Sequence, residues 1–334
     1  MQITSALLPL MLAASAVFSQ ESPVVTRKTE GAMAPSEALP RYRVVKASPA
    51  MKATSAVNQA AEQGYRMLLI SAQAIMRRDA EPPDTYRYMA VPASGLLSSF
   101  LNTLNQQGAF GYGWKAGTHW LEKEPHPHNY EYQIITGFKI KTREDSRSAL
   151  LQQGFAPVGL FGNQIVFMRE LGNTAAVASE RSTRWLDMTS EKRTMNEINR
   201  GAREGYRLAP GDISPKGFIQ MRMDPCDAAC GGPFEYRKIE VKESDQLERD
   251  LNTLAREGFR VVPESFGWHP YFMERGTDHK QHFAYRVGTA DEETVTEQFL
   301  NEGDRDGFVP VTFATHVGWL MHSFIVLEKP LTAE

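Results

Sequence analysis

Hydrophobic positions along this chain alternate between two spacings, and the alternation recurs six times. A block opens with a strand pattern, in which successive residues alternate between two faces, as in 234–241. A helical pattern follows, with apolar residues such as Leu247, Leu251 and Leu254 along one side. A glycine ends the helical pattern, and two further short strand patterns complete the block. The order strand, helix, strand, strand is therefore predicted for each block.

One aromatic residue in the first strand pattern of each block and the glycine that ends its helix keep a nearly constant distance. The interval is 22 residues in five blocks and 20 in the other. The pairs are Tyr42 and Gly64, Tyr86 and Gly108, Tyr132 and Gly154, Trp185 and Gly205, Tyr236 and Gly258, and Tyr285 and Gly307. Such a register is typical of an internal repeat, and each glycine should end its helix in the left-handed conformation.

We therefore expect an α+β fold of six tandem βαββ units, each with one helix layered on one sheet. The units are predicted at 41–79, 85–124, 130–170, 183–223, 234–275 and 283–329. Because units of this size are too small to bury a sufficient core alone, they should pack on one another pseudo-symmetrically. Within a unit, the third strand should lie between the other two and run antiparallel to both.

The arrangement of the units is less constrained by the sequence. The small and polar segment 171–182 favours two lobes of three units, with three pairs of units as the alternative. A compact assembly is predicted, and a long open solenoid is the alternative.

The fifth unit resembles a family of small bacterial domains. The residues that carry the resemblance are Tyr236-Arg237-Lys238-Ile239, Leu247, Leu251, Asn252, Leu254, Ala255, Glu257-Gly258-Phe259 and Val261-Val262. They are similar to the domain-of-unknown-function family number 4177, and Leu101-Asn102-Thr103-Leu104 before Gly108 repeats part of the pattern. The resemblance implies a fold and brings no catalytic residues.

The first forty residues differ from the rest. An apolar stretch over 6–18 favours a signal peptide at 1–19, although no Lys or Arg precedes it, and a buried helix is the alternative. Residues 20–40 are rich in Pro, Ser, Thr, Glu and Ala, which is typical of a disordered linker. A periplasmic or secreted location is predicted.

Charge and hydropathy exclude two classes of partner. The net charge is -3, and Lys and Arg are scattered, so we expect no nucleic-acid partner. After the N-terminal stretch, no run approaches the roughly 20 apolar residues that span a bilayer, so no stable membrane insertion is expected.

Cys226 and Cys230 are the only cysteines. In an exported protein they are expected to form a local disulfide. Free thiols, or a redox or metal-binding pair, are the alternatives. No third ligand accompanies His126 and His128, so no metal site is predicted.

Three of the five tryptophans follow a glycine in the predicted hairpin between the second and third strands of a unit. These tryptophans and their neighbouring histidines are Trp114 with His119, Trp268 with His269, and Trp319 with His316. One interpretation is that the rings cover the open end of each core. The other is a recurrent binding surface for sugar rings or extended peptides.

The chain carries none of the G-x-S-x-G, H-E-x-x-H or P-loop motifs, and we expect no cofactor. The sequence thus favours an exported bacterial protein that acts as a non-enzymatic binding or scaffold module for a protein, peptide or glycan. The alternatives are a hydrolase with its site in a cleft between units, and a self-assembling structural protein.

Overall fold

The computed structural model describes fourteen ranges of the chain. These are residues 39–79, 84–92, 97–115, 118–135, 140–161, 164–172, 184–188, 191–208, 219–225, 232–241, 243–262, 271–276, 282–317 and 321–331.

Within these ranges the chain forms six helices and eighteen strands, and the α+β fold class is confirmed. The helices are α1 Ala50–Glu62, α2 Leu97–Gly108, α3 Ile140–Gln152, α4 Glu191–Arg203, α5 Ser244–Arg256 and α6 Glu293–Arg305. The first nine strands are β1 Tyr42–Lys46, β2 Arg66–Ile70, β3 Gln73–Arg77, β4 Arg87–Ala90, β5 Tyr112–Trp114, β6 Trp120–Lys123, β7 Tyr130–Ile135, β8 Ala156–Phe161 and β9 Gln164–Glu170. The other nine are β10 Arg184–Met188, β11 Tyr206–Leu208, β12 Ile219–Pro225, β13 Phe234–Ile239, β14 Arg260–Val261, β15 Tyr271–Gly276, β16 His282–Thr289, β17 Val309–Val317 and β18 Met321–Leu331.

The strands form three-stranded sheets, which we number in chain order. Sheets 1 to 6 have the strand orders β1-β3-β2, β4-β6-β5, β7-β9-β8, β10-β12-β11, β13-β15-β14 and β16-β18-β17. The last strand of each set is central and antiparallel to both neighbours, as predicted. The first strand of each set is consequently an edge strand, with one side of its backbone left without a partner in the sheet.

Helices α1, α3, α5 and α6 end as the glycine pattern predicts. Gly258 has φ +87°, a conformation that costs residues with a Cβ atom about 1–2 kcal/mol. The N–H of Phe259 bonds the carbonyl of Leu254 at 3.0 Å, and the N–H of Gly258 bonds that of Ala255 at 3.0 Å. This pair of bonds satisfies the last helical carbonyls. The same pair recurs at Gly64, Gly154 and Gly307.

The predicted markers of the second unit are wrong. The buried aromatic residue of β4 is Tyr88, whereas Tyr86 precedes the strand. The left-handed glycine is Gly111, with φ +85°, and Gly108 is the last helical residue. Gly108 instead permits close packing, because a Cβ atom there would lie 2.5 Å from the carbonyl oxygen of Tyr130.

The apolar core lies between sheets. Of the six apolar clusters in the described residues, five contain side chains from two sheets. One of them joins Leu247 and Leu251 of α5 to Phe283 and Tyr285 of β16. A helix with one face on its own sheet and the other on the next sheet buries more apolar surface than a single unit could.

Several sequence predictions lie outside the described residues. These are the signal peptide at 1–19, the linker at 20–40 except its last two residues, and the disulfide between Cys226 and Cys230. No helix among the described residues is long and apolar enough to cross a membrane.

We predict that Gly258→Ala destabilises the protein, because alanine must adopt the same left-handed conformation. The expected loss is about 1–2 kcal/mol in the free energy of unfolding, measured by urea denaturation. Thr253→Ala, an exposed change in the same helix, should stay within about 0.5 kcal/mol of the native protein. Equal stability of Gly258→Ala and the native protein would show that this glycine does not end the helix.

Candidate functional site

Trp114 and His119 lie on the hairpin between β5 and β6. The Trp114 ring is buried at 7% exposure, packs edge-on against Phe100 at 6.0 Å, and donates its indole N–H to the Thr118 carbonyl at 2.9 Å. Half-buried His119 meets the Phe161 ring edge-on at 5.6 Å, and burial lowers the pKa of its imidazole. Trp114 thus occupies a core position, as the first interpretation of the tryptophans expects.

The other predicted binding residues are not brought into one described site. Trp268, His269 and Trp319 lie outside the described residues. The backbone of His316 lies in β17, opposite His322 of β18. Their role in binding stays a prediction.

The most extensive polar arrangement in the described residues lies where a helix packs on the edge strand of another sheet. We call these contacts joints. Joints A to E are, in order, α1 with β4, α2 with β7, α4 with β13, α5 with β16, and α6 with β1.

One asparagine bridges each joint. At joint D, the Tyr285 main-chain N–H donates to Asn252 Oδ1 at 2.9 Å, and Asn252 Nδ2 donates to the Tyr285 carbonyl at 3.0 Å. The same two bonds join four further pairs, which are Asn58 to Tyr88, Asn105 to Tyr132, Asn199 to Tyr236, and Asn301 to Tyr42.

The asparagine satisfies the open edge of the strand that it faces. The tyrosine lies in an edge strand, so the N–H and carbonyl on its outer side lack a partner within the sheet. A primary amide carries its donor and its acceptor on two separate atoms, so one side chain can bond both the N–H and the carbonyl of the tyrosine. At joint D, Glu248 Oε2 also accepts the next outward N–H, from Val287, at 2.8 Å.

Sequence reasoning missed this role, although a signal was present. Each bridging asparagine stands six residues before a left-handed glycine, at Asn58, Asn105, Asn199, Asn252 and Asn301. In the second unit, Asn102 has the same spacing to Gly108, but it is exposed. Because α2 continues through Gly108, Asn105 is the residue that faces β7.

At joints A to D, the tyrosine side chain makes a second connection back to the preceding sheet. Its hydroxyl accepts the main-chain N–H of the third residue after the left-handed glycine. The donors are Met67 at 2.7 Å, Trp114 at 2.8 Å, Leu208 at 3.0 Å and Val261 at 2.9 Å. Each of these tyrosines is therefore hydrogen-bonded to the preceding unit through both its backbone and its ring.

Joints A, C and D add an ion pair between a buried carboxylate and a partly exposed arginine. At joint A, the Tyr88 hydroxyl donates to Glu122 at 2.8 Å, and the Arg66 guanidinium of the preceding sheet reaches the same carboxylate at 2.7 Å. Glu274 with Tyr236 and Arg207, and Glu328 with Tyr285 and Arg260, repeat the arrangement. The three carboxylates are 2–6% exposed, so each needs its partners to remain charged.

The pKa shifts follow from this burial. Burial raises the pKa of Tyr88, Tyr236 and Tyr285, and the adjacent carboxylate raises it further. Burial alone would raise the pKa of Glu122, but Lys115 and Arg66 outweigh it, and the pKa lies below 4.5. The tyrosines therefore stay protonated, and Glu122 stays charged, at neutral pH.

Joint E departs from this pattern at three positions. The strand position opposite the tyrosine, which Glu122 fills at joint A, is occupied by Arg77. The position of Arg66 is occupied by Val309, and that of Met67 by Pro310, which has no N–H to donate.

The Tyr42 hydroxyl consequently has no hydrogen bond of good geometry within the described residues, although it is buried. Burial raises the pKa of Tyr42, while the nearby Arg41 and Arg77 guanidinium groups oppose the shift. Joint E therefore lacks the bond from a main-chain N–H to the tyrosine hydroxyl that joints A, C and D have.

A partly open cavity of about 280 Å³ lies beside joint A, between residues of the first two units. Its charged lining comes from Arg66, Arg77, Lys115, Asp79 and Asp84. The three cations already have partners: Arg66 bonds Glu122 and Glu124, Lys115 bonds Glu122, and Arg77 bonds Asp79. A ligand entering this cavity must compete with these ion pairs.

No three His, Cys, Asp or Glu side chains in the described ranges form a group that could hold a metal ion. Comparison with known proteins gives no family model, no curated protein and no solved structure that matches the chain.

We predict that Asn252→Ala weakens joint D, because it leaves the outward N–H and carbonyl of Tyr285 without their partner. The expected loss is about 1–3 kcal/mol in the free energy of unfolding, measured by urea denaturation. Asn102→Ala, an exposed asparagine on α2, is the matched control and should change stability by less than about 0.5 kcal/mol. Similar losses in both variants would rule out a special role for the bridging position.

We also predict a specific acid sensitivity at joint A. Because the pKa of Glu122 in the folded protein lies below the ordinary value of 4.5, its stabilising contribution is present above that pH and is lost as the pH falls further. The melting temperature of Glu122→Gln should therefore fall less steeply below pH 4.5 than that of the native protein. Exposed Glu62→Gln serves as the control, and a native-like slope in Glu122→Gln would contradict the assignment.

Proposed function

We infer that this chain is an exported bacterial repeat protein that acts as a non-enzymatic binding or scaffold module. Its partner is a protein, peptide or glycan, and it works in the periplasm or outside the cell. The signal peptide pattern at 1–19 supports the location.

The observation that carries this proposal is the use made of the buried ionisable groups. Strongly shifted tyrosine and arginine pKa values and buried carboxylates are often signs of catalytic sites. Here the three Tyr–Glu–Arg groups, with buried Tyr and Glu and partly exposed Arg, each connect two sheets, and the hydroxyl and carboxylate bond each other, the arginine and the backbone. Such groups stabilise an assembly and leave no activated nucleophile or base among themselves.

Six related βαββ units, similar to the family number 4177 domains, are part of the same proposal. It is supported by the recurrence of the bridging asparagine, the left-handed glycine and the edge-strand tyrosine at fixed offsets. Copies that bind one another by the same contacts present the same surface features at regular intervals, as repeat proteins do when they bind extended partners.

A hydrolase with its site in a cleft between units is the second candidate. The cavity at joint A supports it, because Asp79 and Asp84 lie beside Arg77 and Lys115 there. The ion pairs of the lining favour a structural role for these side chains, so this candidate ranks below binding.

The test is a glycan and peptide array probed with the chain lacking residues 1–19, together with a panel of ester, amide and glycoside substrates. We expect array binding that Trp268→Ala and Trp319→Ala weaken without lowering the melting temperature. Trp114→Ala should instead destabilise the protein by about 3–5 kcal/mol, because that ring is buried.

Two results would overturn the proposal. In the first, the protein binds nothing on the arrays but turns over a substrate, and Asp84→Asn abolishes that turnover. This result would favour the hydrolase. The other is loss of stability in all three tryptophan variants, which would assign the rings to the core alone.

A further inference from the structure

Joint E connects the two ends of the folded chain. The bond between Asn301 and Tyr42 spans 259 residues, whereas the corresponding bond at joint D spans 33. Val44 N–H donates to Glu297 Oε2 at 2.9 Å, and Arg41 pairs with Asp304 at 2.8 Å. No short linker therefore holds the two sides of joint E together.

The other described joints divide the chain into two halves. Joints A and B hold sheets 1, 2 and 3 together, and joints C and D hold sheets 4, 5 and 6. Each half therefore keeps two joints of its own if joint E opens.

Of the five described joints, joint E has the fewest hydrogen bonds from its tyrosine across the joint, since joint B also has the bond from the Trp114 N–H to the Tyr132 hydroxyl, and we expect joint E to open most easily. It keeps the asparagine bridge but lacks the Tyr–Glu–Arg group, since Arg77 and Val309 replace the Glu and Arg. Opening releases the Tyr42 hydroxyl, which water can then bond.

Opening joint E exposes two complementary apolar surfaces. The surface of sheet 1 includes Tyr42, Val44 and Ile75, and the surface of the sixth unit includes Leu300 and Phe308. All five side chains are buried in the closed joint. Large apolar surfaces of this kind do not stay in water, so the opened chain must close again or bind another copy.

We propose that joint E is an exchangeable interface whose other partner is a second copy of this chain. The α6 helix of one copy packs on β1 of its partner, and the reverse contact closes a symmetric dimer. Each joint E of the dimer is made by the same residues as in the single chain, so concentration sets the balance between the two forms. This proposal does not require the binding role.

The experiment uses the full chain with two different C-terminal affinity tags. The two preparations are mixed at a range of protein concentrations, at a temperature below the onset of thermal unfolding. Doubly tagged species are then isolated by sequential affinity steps, and their mass is measured. Asn301→Ala tests joint E, and Asn252→Ala is the matched control, because it removes the same two bonds from joint D.

We expect doubly tagged dimers whose proportion rises with concentration. Asn301→Ala should bring the mixture to equilibrium roughly tenfold faster than the native chain, and Asn252→Ala at about the native rate. Absence of doubly tagged dimers at every concentration would overturn the proposal. Equal acceleration by both variants would also overturn it. Dimers whose exchange Asn301→Ala does not accelerate would overturn it as well, because such dimers form through another surface.

Discussion

The structure depends on satisfying the open backbone edge of the first strand in sheets 1, 2, 3, 5 and 6. That strand lies at the edge because the last strand of the set is central, so the outward N–H and carbonyl of its buried tyrosine have no partner in the sheet. An asparagine on the helix of another unit supplies both bonds, as Asn252 does for Tyr285. Hydrophobic burial between sheets is thereby tied to a fixed register, since a helix displaced by one residue would lose both bonds.

The joints share this bridge but differ in charge, and the differences give each contact its own partner. A Glu faces an Arg across joints A, C and D, whereas Arg77 and Val309 occupy those positions at joint E. An Arg brought against sheet 1 would meet Arg77, and sheet 5 moved onto the sixth unit would leave the buried Glu274 without Arg207. Like charges and unpaired buried charges both disfavour the wrong order, so side-chain charge helps to select which units meet.

Much of the fold could be predicted from local patterns, because a helix stop and a strand alternation are local properties. Gly258 and Phe259 close their helix as expected, and the central position of the third strand follows from chain handedness. The prediction that Gly108 ends its helix was wrong, because local spacing cannot tell which of two nearby glycines adopts positive φ. Gly111 adopts it, and Gly108 instead packs closely on the backbone of Tyr130. The joints could not be predicted, because the contact between Asn301 and Tyr42 depends on units far apart in the chain.

Amide hydrogen exchange at Met67, Leu208 and Val261 tests the central claim most directly. Each of these N–H groups donates to the tyrosine hydroxyl of another sheet, so its protection depends on the joint as well as on its own strand. The account predicts that all three exchange as slowly as the interior amides of α5, by global unfolding. Exchange as fast as that of an exposed turn would show that the sheets are not held together in this way.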